Sequence, residues 1–264
     1  MEWMFGYLLA GLVVGFLAGL LGIGGGMTLV PVLTAMFAAQ AILPAHTVHL
    51  ALATAMASAA FTSTASVREH HRAGAVDWSV VKLFVPGMAA GALASTFASG
   101  YISQRTLAIS FAIIVYAAAV QMLIGKKPSA SRGMPTAPFA FAIGVVIGTL
   151  SGLVSAGGTF LLMPVLLSCG MLMHRAIGTG AAIGIPVTIV GAIGFIASGW
   201  SHTQMKDLLL GFIYLPALAA LVVGSFFSAP MGARLAHRLP VATLKRIFAL
   251  LMFVLASKML ISYW

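Results

Sequence analysis

The sequence predicts an all-α polytopic membrane protein: two inverted-topology repeats of about five transmembrane or partially crossing segments each. Three observations carry this expectation. Of 264 residues, 61% are hydrophobic and 7% charged, with a mean hydropathy of +1.09, against roughly half and a quarter in soluble domains. The apolar residues gather into ten runs, most near the ~20 residues that cross a bilayer as a helix. A glycine-proline pattern then occurs twice. This composition excludes a water-soluble globular enzyme. The 14 Lys+Arg against 4 Asp+Glu are read as marking cytoplasmic loops, not as a nucleic-acid surface. Cys169, the single cysteine, has no intrachain disulfide partner.

The runs cover about 4–22, 27–43, 46–67, 79–99, 106–124, 138–155, 159–173, 176–200, 208–233 and 243–263. The first lacks the basic start of a signal peptide, so it is expected to remain a membrane helix. It carries Gly11, Gly15 and Gly19, and the sixth carries Gly144, Gly148 and Gly152; small residues four apart let helices approach closely. The second and seventh are short and follow glycine breaks, so they are expected to be partial crossings. The third opens on His46 and His49, three residues apart and so on one helical face. The fourth and ninth begin beside Asp77 and Asp207, where a carboxylate complements a helix N-terminus. The fifth and tenth end in the matching triplets Met122-Leu123-Ile124 and Met259-Leu260-Ile261, and the eighth follows His174 and Arg175.

Residues 11–33 and 144–166 share G-x3-G-x3-G-L-x3-G-G-x5-P-V-L at an offset of 133. Asp77 and Pro86 match Asp207 and Pro216 further on. The chain therefore divides into a first repeat over 1–125, a basic linker over 126–137 and a second repeat over 138–264. If every run changes side, one face receives eleven basic residues, including Arg68, Arg72, Arg175 and Arg234, and the other three. With four crossings per half the split is seven to seven, so the positive-inside bias favours five. An odd number inverts the second half and leaves both termini outside the cytoplasm.

Inverted repeats with glycine-broken segments at matching positions point to a secondary transporter whose site lies where the breaks meet. The breaks are Gly22 to Gly26 and Ser155 to Thr159. Consecutive glycines admit positive φ, and each opens a helix whose first amides are unsatisfied and partly positive. Two such N-termini would bind an anion without a buried cation. The candidate substrate-binding residues are thus Gly24, Gly25, Gly26, Thr28, Ser155, Gly157, Gly158 and Thr159. The alternative for the glycines is close packing alone. Pro31 and Pro164 each remove a backbone donor six residues on, shaping the cavity or merely kinking the helix. His46, His49, His174 and Arg175 are candidates for a gate or for attracting an anion at the mouths, against plain interfacial anchoring. For Thr54, Ser58, Gln121, Thr179 and Thr188 the expectation is interhelical hydrogen bonding. His70, His71 and His237 are expected in solvated loops and His202 in an outer loop. No metal site and no cofactor are expected, since no carboxylate lies near His46, His49 or His174.

Enzyme motifs fail on inspection. GIGGGMT lacks the Gly-Lys-Ser/Thr of a phosphate loop. Leu150-Ser151-Gly152 suggests a serine nucleophile, but Ser151 is matched by Ala18 in the other half, which fits a small-residue stripe.

The segments GLLGIGGGMTLVPVL, SGLVSAGGTFLLMPVLL and HRAIGTGAAIGIP resemble the TauE/SafE family of sulfite and organosulfonate exporters, and the likeness covers nearly the whole chain. The resemblance implies a permease of the bacterial cytoplasmic membrane for small sulfur oxyanions such as sulfite or sulfoacetate. The matching motif positions are Gly24, Gly25, Pro31, Gly157, Gly158, Pro164, His174, Arg175, Gly178 and Thr179; the first half departs with His49-Leu50 at the place of the last two. The partners it implies are a small anionic substrate and the lipid bilayer, with further copies of the chain as an open question and no nucleic acid. A non-transporting assembly factor or receptor, or a transporter of another solute, are the competing readings.

Overall fold

A computed structural model describes residues 2–21, 25–124, 133–203, 208–236 and 241–263. Gly22 to Gly24, most of the expected linker, Asp207 and His237 lie outside the described residues. Among the described residues ten α-helices follow one another: α1 (Glu2–Leu21), α2 (Gly26–Ala39), α3 (Thr47–Arg72), α4 (Trp78–Ser99), α5 (Gln104–Ile124), α6 (Ala137–Leu153), α7 (Thr159–Ser168), α8 (Met173–Gly199), α9 (Leu215–Ala236) and α10 (Val241–Tyr263). Among the described residues, six of them are long and apolar enough to cross a membrane. At 1.5 Å per residue, α2 spans about 21 Å and α7 about 15 Å, short of a ~30 Å hydrocarbon core. The two segments expected to be partial crossings are thus the two shortest helices.

Two long helices, α3 and α8, pack against each other at the centre. Around them α1 pairs with α9, α6 with α4 and α5 with α10. The short helix α2 lies on α3 and α7 on α8, while α3 also meets α9 and α8 meets α4. Exchanging the first five helices with the last five leaves these principal pairings unchanged.

The glycine stripes explain the outer pairs. A Cβ on Gly11 would stand 2.6 Å from the Leu221 carbonyl oxygen of α9, and one on Gly19 would run into the Ala229 carbonyl. In α6, a Cβ on Gly144 would stand 3.1 Å from the Phe84 carbonyl of α4, and one on Gly148 would enter the Met88 carbonyl. Backbones this close are accessible only to glycine, as the small-residue rule requires.

Polarity is turned inward. Thr54, Ser58, Thr62, Ser63 and Ser66 of α3 are buried, while Phe5, Ile113, Phe139, Val146, Phe227 and Val254 are exposed on outer helices. That is the distribution of a bundle whose solvent is lipid.

Three expectations need correction. Residues 208–214 do not begin a helix but form a small antiparallel ribbon, β1 (Leu209–Leu210) with β2 (Ile213–Tyr214). Leu208 and Gly211 adopt φ of 57° and 55°, which ends helical propagation and turns the chain. His46 belongs to a short 3-10 turn, Pro44–His46, ahead of α3. His70, expected in a solvated loop, is fully buried in the last turns of α3.

Candidate functional site

The heads of the two short helices share one backbone conformation. Gly25, ahead of α2, has φ 76° and ψ −10°; Gly158, ahead of α7, has φ 81° and ψ −17°. Only glycine enters this left-handed region at little cost. Neither helix head is capped by a side chain. Among the described residues no side chain accepts from the first-turn amides of either helix, and in α2 the Thr28 amide turns back onto the Gly25 carbonyl at 3.2 Å. Ser155 is also left-handed, at φ 53°, and its hydroxyl donates to the Leu52 carbonyl of α3 at 2.7 Å. That bond ties the second break to the central helix.

The tertiary structure brings the breaks together. A Cβ on Gly26 would run into the Ser155 carbonyl and stand 3.3 Å from that of Ala55 in α3. Gly157 faces Gly184 of α8, and Thr159 faces Gly180. Gly25, Gly26, Thr28, Ser155, Gly157, Gly158 and Thr159 are all buried, so the meeting point is closed from solvent. Gly24 lies outside the described residues.

The three candidate hydroxyls differ in what they have left to give. Thr28 donates to the Gly25 carbonyl at 2.7 Å, and Ser155 is engaged with Leu52. Thr159 is 1% exposed and its hydroxyl has no protein partner. On α3, Ser58 and Ser63 hold buried hydroxyls in the same condition. A Cβ on Gly184 would stand 3.4 Å from both the Ser63 hydroxyl and the Gly157 carbonyl, which places Ser63 at the second break. Ser63 escapes a sequence reading because it lies off the Thr54, Ser58, Thr62 stripe set by the i, i+4 spacing.

Of the five polar groups expected to bond between helices, Thr54 and Thr179 bond across elements, and Ser58, Thr188 and Gln121 do not. Thr54 accepts from the Tyr214 amide at 3.0 Å, and Thr179 from the Asp77 amide at 3.0 Å. Thr188 instead donates to Gly184 of its own helix, and Gln121 is exposed. Pro31 and Pro164 lie inside α2 and α7, and Pro31 also lines a cavity of about 300 Å³.

The four residues expected at the mouths occupy opposite ends of the long helices. His46 and His49 sit at the start of α3 with ring centroids 5.1 Å apart, and His202 approaches His46 to 5.0 Å. Phe212 of the ribbon packs on all three. The His49 Nε2–H donates to the Ser99 and Ile102 carbonyls at 3.1 and 3.0 Å, clamping α3 to the α4–α5 corner. Among the described residues no group of three or more histidines, cysteines or carboxylates is placed to hold a metal ion.

At the other end Arg175 lies 3.5 Å from the Asp77 carboxylate. His174 precedes it at the start of α8. Asp77 caps α4, accepting from the Ser79 hydroxyl at 2.5 Å and the Ser79 amide at 3.1 Å. These bonds, led by the Ser79 hydroxyl and joined by Arg175, hold its carboxyl below the usual carboxylate range. A Cβ on Gly178 would stand 2.5 Å from the Ala75 carbonyl, so the head of α8 is seated on the α3–α4 connection. Glu69 pairs with Arg234 at 3.2 Å and with Arg72 at 3.1 Å at this same end of α3.

Comparison with known proteins agrees with this architecture. The family model described as sulfite exporter TauE/SafE matches residues 7–259. The chain is 34% identical over 253 residues to a "probable membrane transporter protein" of Haemophilus influenzae, covering 96% of each chain. It is 26% identical to a Bacillus subtilis protein of the same description, covering 88% of this chain and 89% of that one. A Methanocaldococcus jannaschii relative is 23% identical, over 96% and 94%. No solved structure matches the chain. Apolar helices long enough to span a bilayer, polar groups turned inward and a family match over almost the whole length make this chain a multi-pass membrane transporter belonging to the sulfite exporter TauE/SafE family.

Proposed function

We propose that the protein is a secondary exporter of a small sulfur oxyanion, sulfite or an organosulfonate such as sulfoacetate, held between the heads of α2 and α7. One observation carries this reading: two short helices, each begun by a left-handed glycine, start in the buried interior with uncapped amides. Such helix heads attract anions through unsatisfied N–H groups and the helix dipole. Buried hydroxyls without protein partners on Thr159 and Ser63 would add donors to the same ligand. Gly25, Gly26, Gly157 and Gly158 keep the backbone bare enough for close approach.

Two inverted repeats, 1–125 and 138–264, fit both the exchange-invariant helix pairing and the basic residues gathered at one end. On this reading Arg68, Arg72, Arg175 and Arg234 are cytoplasmic, and both termini face away from the cytoplasm of a bacterial inner membrane. Export of a monoanion from a negative-inside cell gains about 2.3 kcal/mol per 100 mV, and a dianion twice that. Rocking of one bundle against the other would then alternate access to the buried anion, with Arg175 and His174 at the inner mouth and His46 and His49 at the outer.

The test is flux from proteoliposomes loaded with sulfite, sulfoacetate or sulfate under an imposed potential. Potential-dependent efflux of a sulfur anion, lost in Gly158→Leu protein that still runs as a monodisperse species, is the expected result. No flux of any of these anions from folded wild-type protein overturns the reading.

A further inference from the structure

Away from the glycine breaks, α2, the start of α3, α5 and α10 enclose a cavity of about 300 Å³. Its wall includes Pro31, Thr34, Thr47, Gln104, Lys258 and Ser262. The cavity lies at the His46 end of α3, opposite the end that carries Arg72, Arg175 and Arg234.

Three features of this wall point to a ligand of one chemical kind. Lys258 is exposed on it, and none of the lining residues is acidic, so the formal charge on its wall is positive. The Gln104 side chain donates to the Pro44 carbonyl at 3.3 Å, while its amide oxygen is buried without a protein partner. That acceptor is left to a water, whose second hydrogen can be given to an anion beside Lys258. Pro31 lies on α2 six residues beyond Gly25, about 9 Å along the helix axis. The cavity therefore reaches along the same short helix that begins at the first break. At about 30 Å³ per water molecule, it has room for a small oxyanion with part of its hydration shell.

We propose that this cavity is a second anion site, an outer station on the transport path whose charge is supplied by Lys258. The proposal rests on the anion-export reading above. A lysine near a helix end also snorkels toward the headgroups with no ligand at all, and that alternative gives different numbers.

The experiment compares wild type, Lys258→Met and Lys258→Arg in proteoliposomes of fixed orientation, with sulfite, sulfoacetate and sulfate supplied in turn at each face. Thermal-shift titration of the purified full-length proteins with the same anions runs alongside. Lys258→Met is expected to raise the half-saturating concentration at the outer face about tenfold and leave that of the inner face within twofold. Lys258→Arg should stay within about threefold of wild type at both faces. Equal half-saturation for wild type and Lys258→Met at the outer face overturns the proposal. Should wild type transport none of these anions, the titration decides: stabilisation by an anion that disappears in Lys258→Met upholds the site while the export reading falls. Stabilisation independent of Lys258, or none, overturns both.

Discussion

Gly26 lies against the carbonyl of Ser155, so that a methyl group on Gly26 would collide with that oxygen. These residues are 129 positions apart in sequence, and their contact joins the head of α2 to the second glycine break. Gly26→Ala should therefore force the two apart, abolish anion flux and lower the melting temperature. Gly74, left-handed at φ 66° but with open space where its Cβ would stand, is the control. Gly74→Ala should cost only the ~1–2 kcal/mol of left-handed strain and leave flux intact. Equal flux in both variants would show that the Gly26–Ser155 approach is dispensable.

Removing the Thr159 hydroxyl should separate stability from function. An unpartnered buried polar group costs roughly 1–3 kcal/mol, so Thr159→Val is expected to melt no lower than wild type. If that hydroxyl donates to the transported anion, the half-saturating concentration should rise several-fold. Adding Ser63→Ala should deepen the transport defect with no matching loss of stability. Unaltered flux in the double variant would remove both residues from the site.

The stripe glycines should respond to size. Gly19→Val and Gly148→Val push side chains into the backbones of α9 and α4, and overpacking typically costs 1–3 kcal/mol. Both variants should melt well below wild type. Gly133→Ala, with nothing near its Cβ position, should match wild type. Melting curves of the three in one detergent check this.

Asp77 should behave as a cap first and an ion partner second. Its carboxyl is held below the ordinary carboxylate range, so its contribution is present above a pH of about 4 and is lost as pH falls through the lowered value. Asp77→Asn keeps a good cap and should lie near wild type at neutral pH while losing that acid dependence. Asp77→Ala should fall by about 1 kcal/mol. Melting temperatures across pH 3–7 give the comparison.

Much of the architecture is legible in the chain. Ten apolar runs become ten helices, because hydropathy and length suffice to mark a membrane helix. Gly11, Gly15 and Gly19 predict a close helix contact because four-residue spacing keeps them on one face. The shortness of α2 and α7 follows from glycines that interrupt the runs. The ribbon over Leu209–Tyr214 is not legible, since Leu, Phe and Ile suit either state in a short apolar run and Gly211 alone supplies the turn. His202 reads as a loop residue, yet its ring packs on His46.

The sequence by itself determined that this is a helical membrane protein, where most of its helices fall and which family it belongs to. Those properties depend on local composition, spacing and a long ordered motif. Which helix α1 packs against, which hydroxyls remain unpaired, and that Lys258 and Pro31 share one cavity were decided only in the tertiary structure. Each depends on residues far apart in the chain meeting at particular distances, and local periodicity carries no information about such meetings.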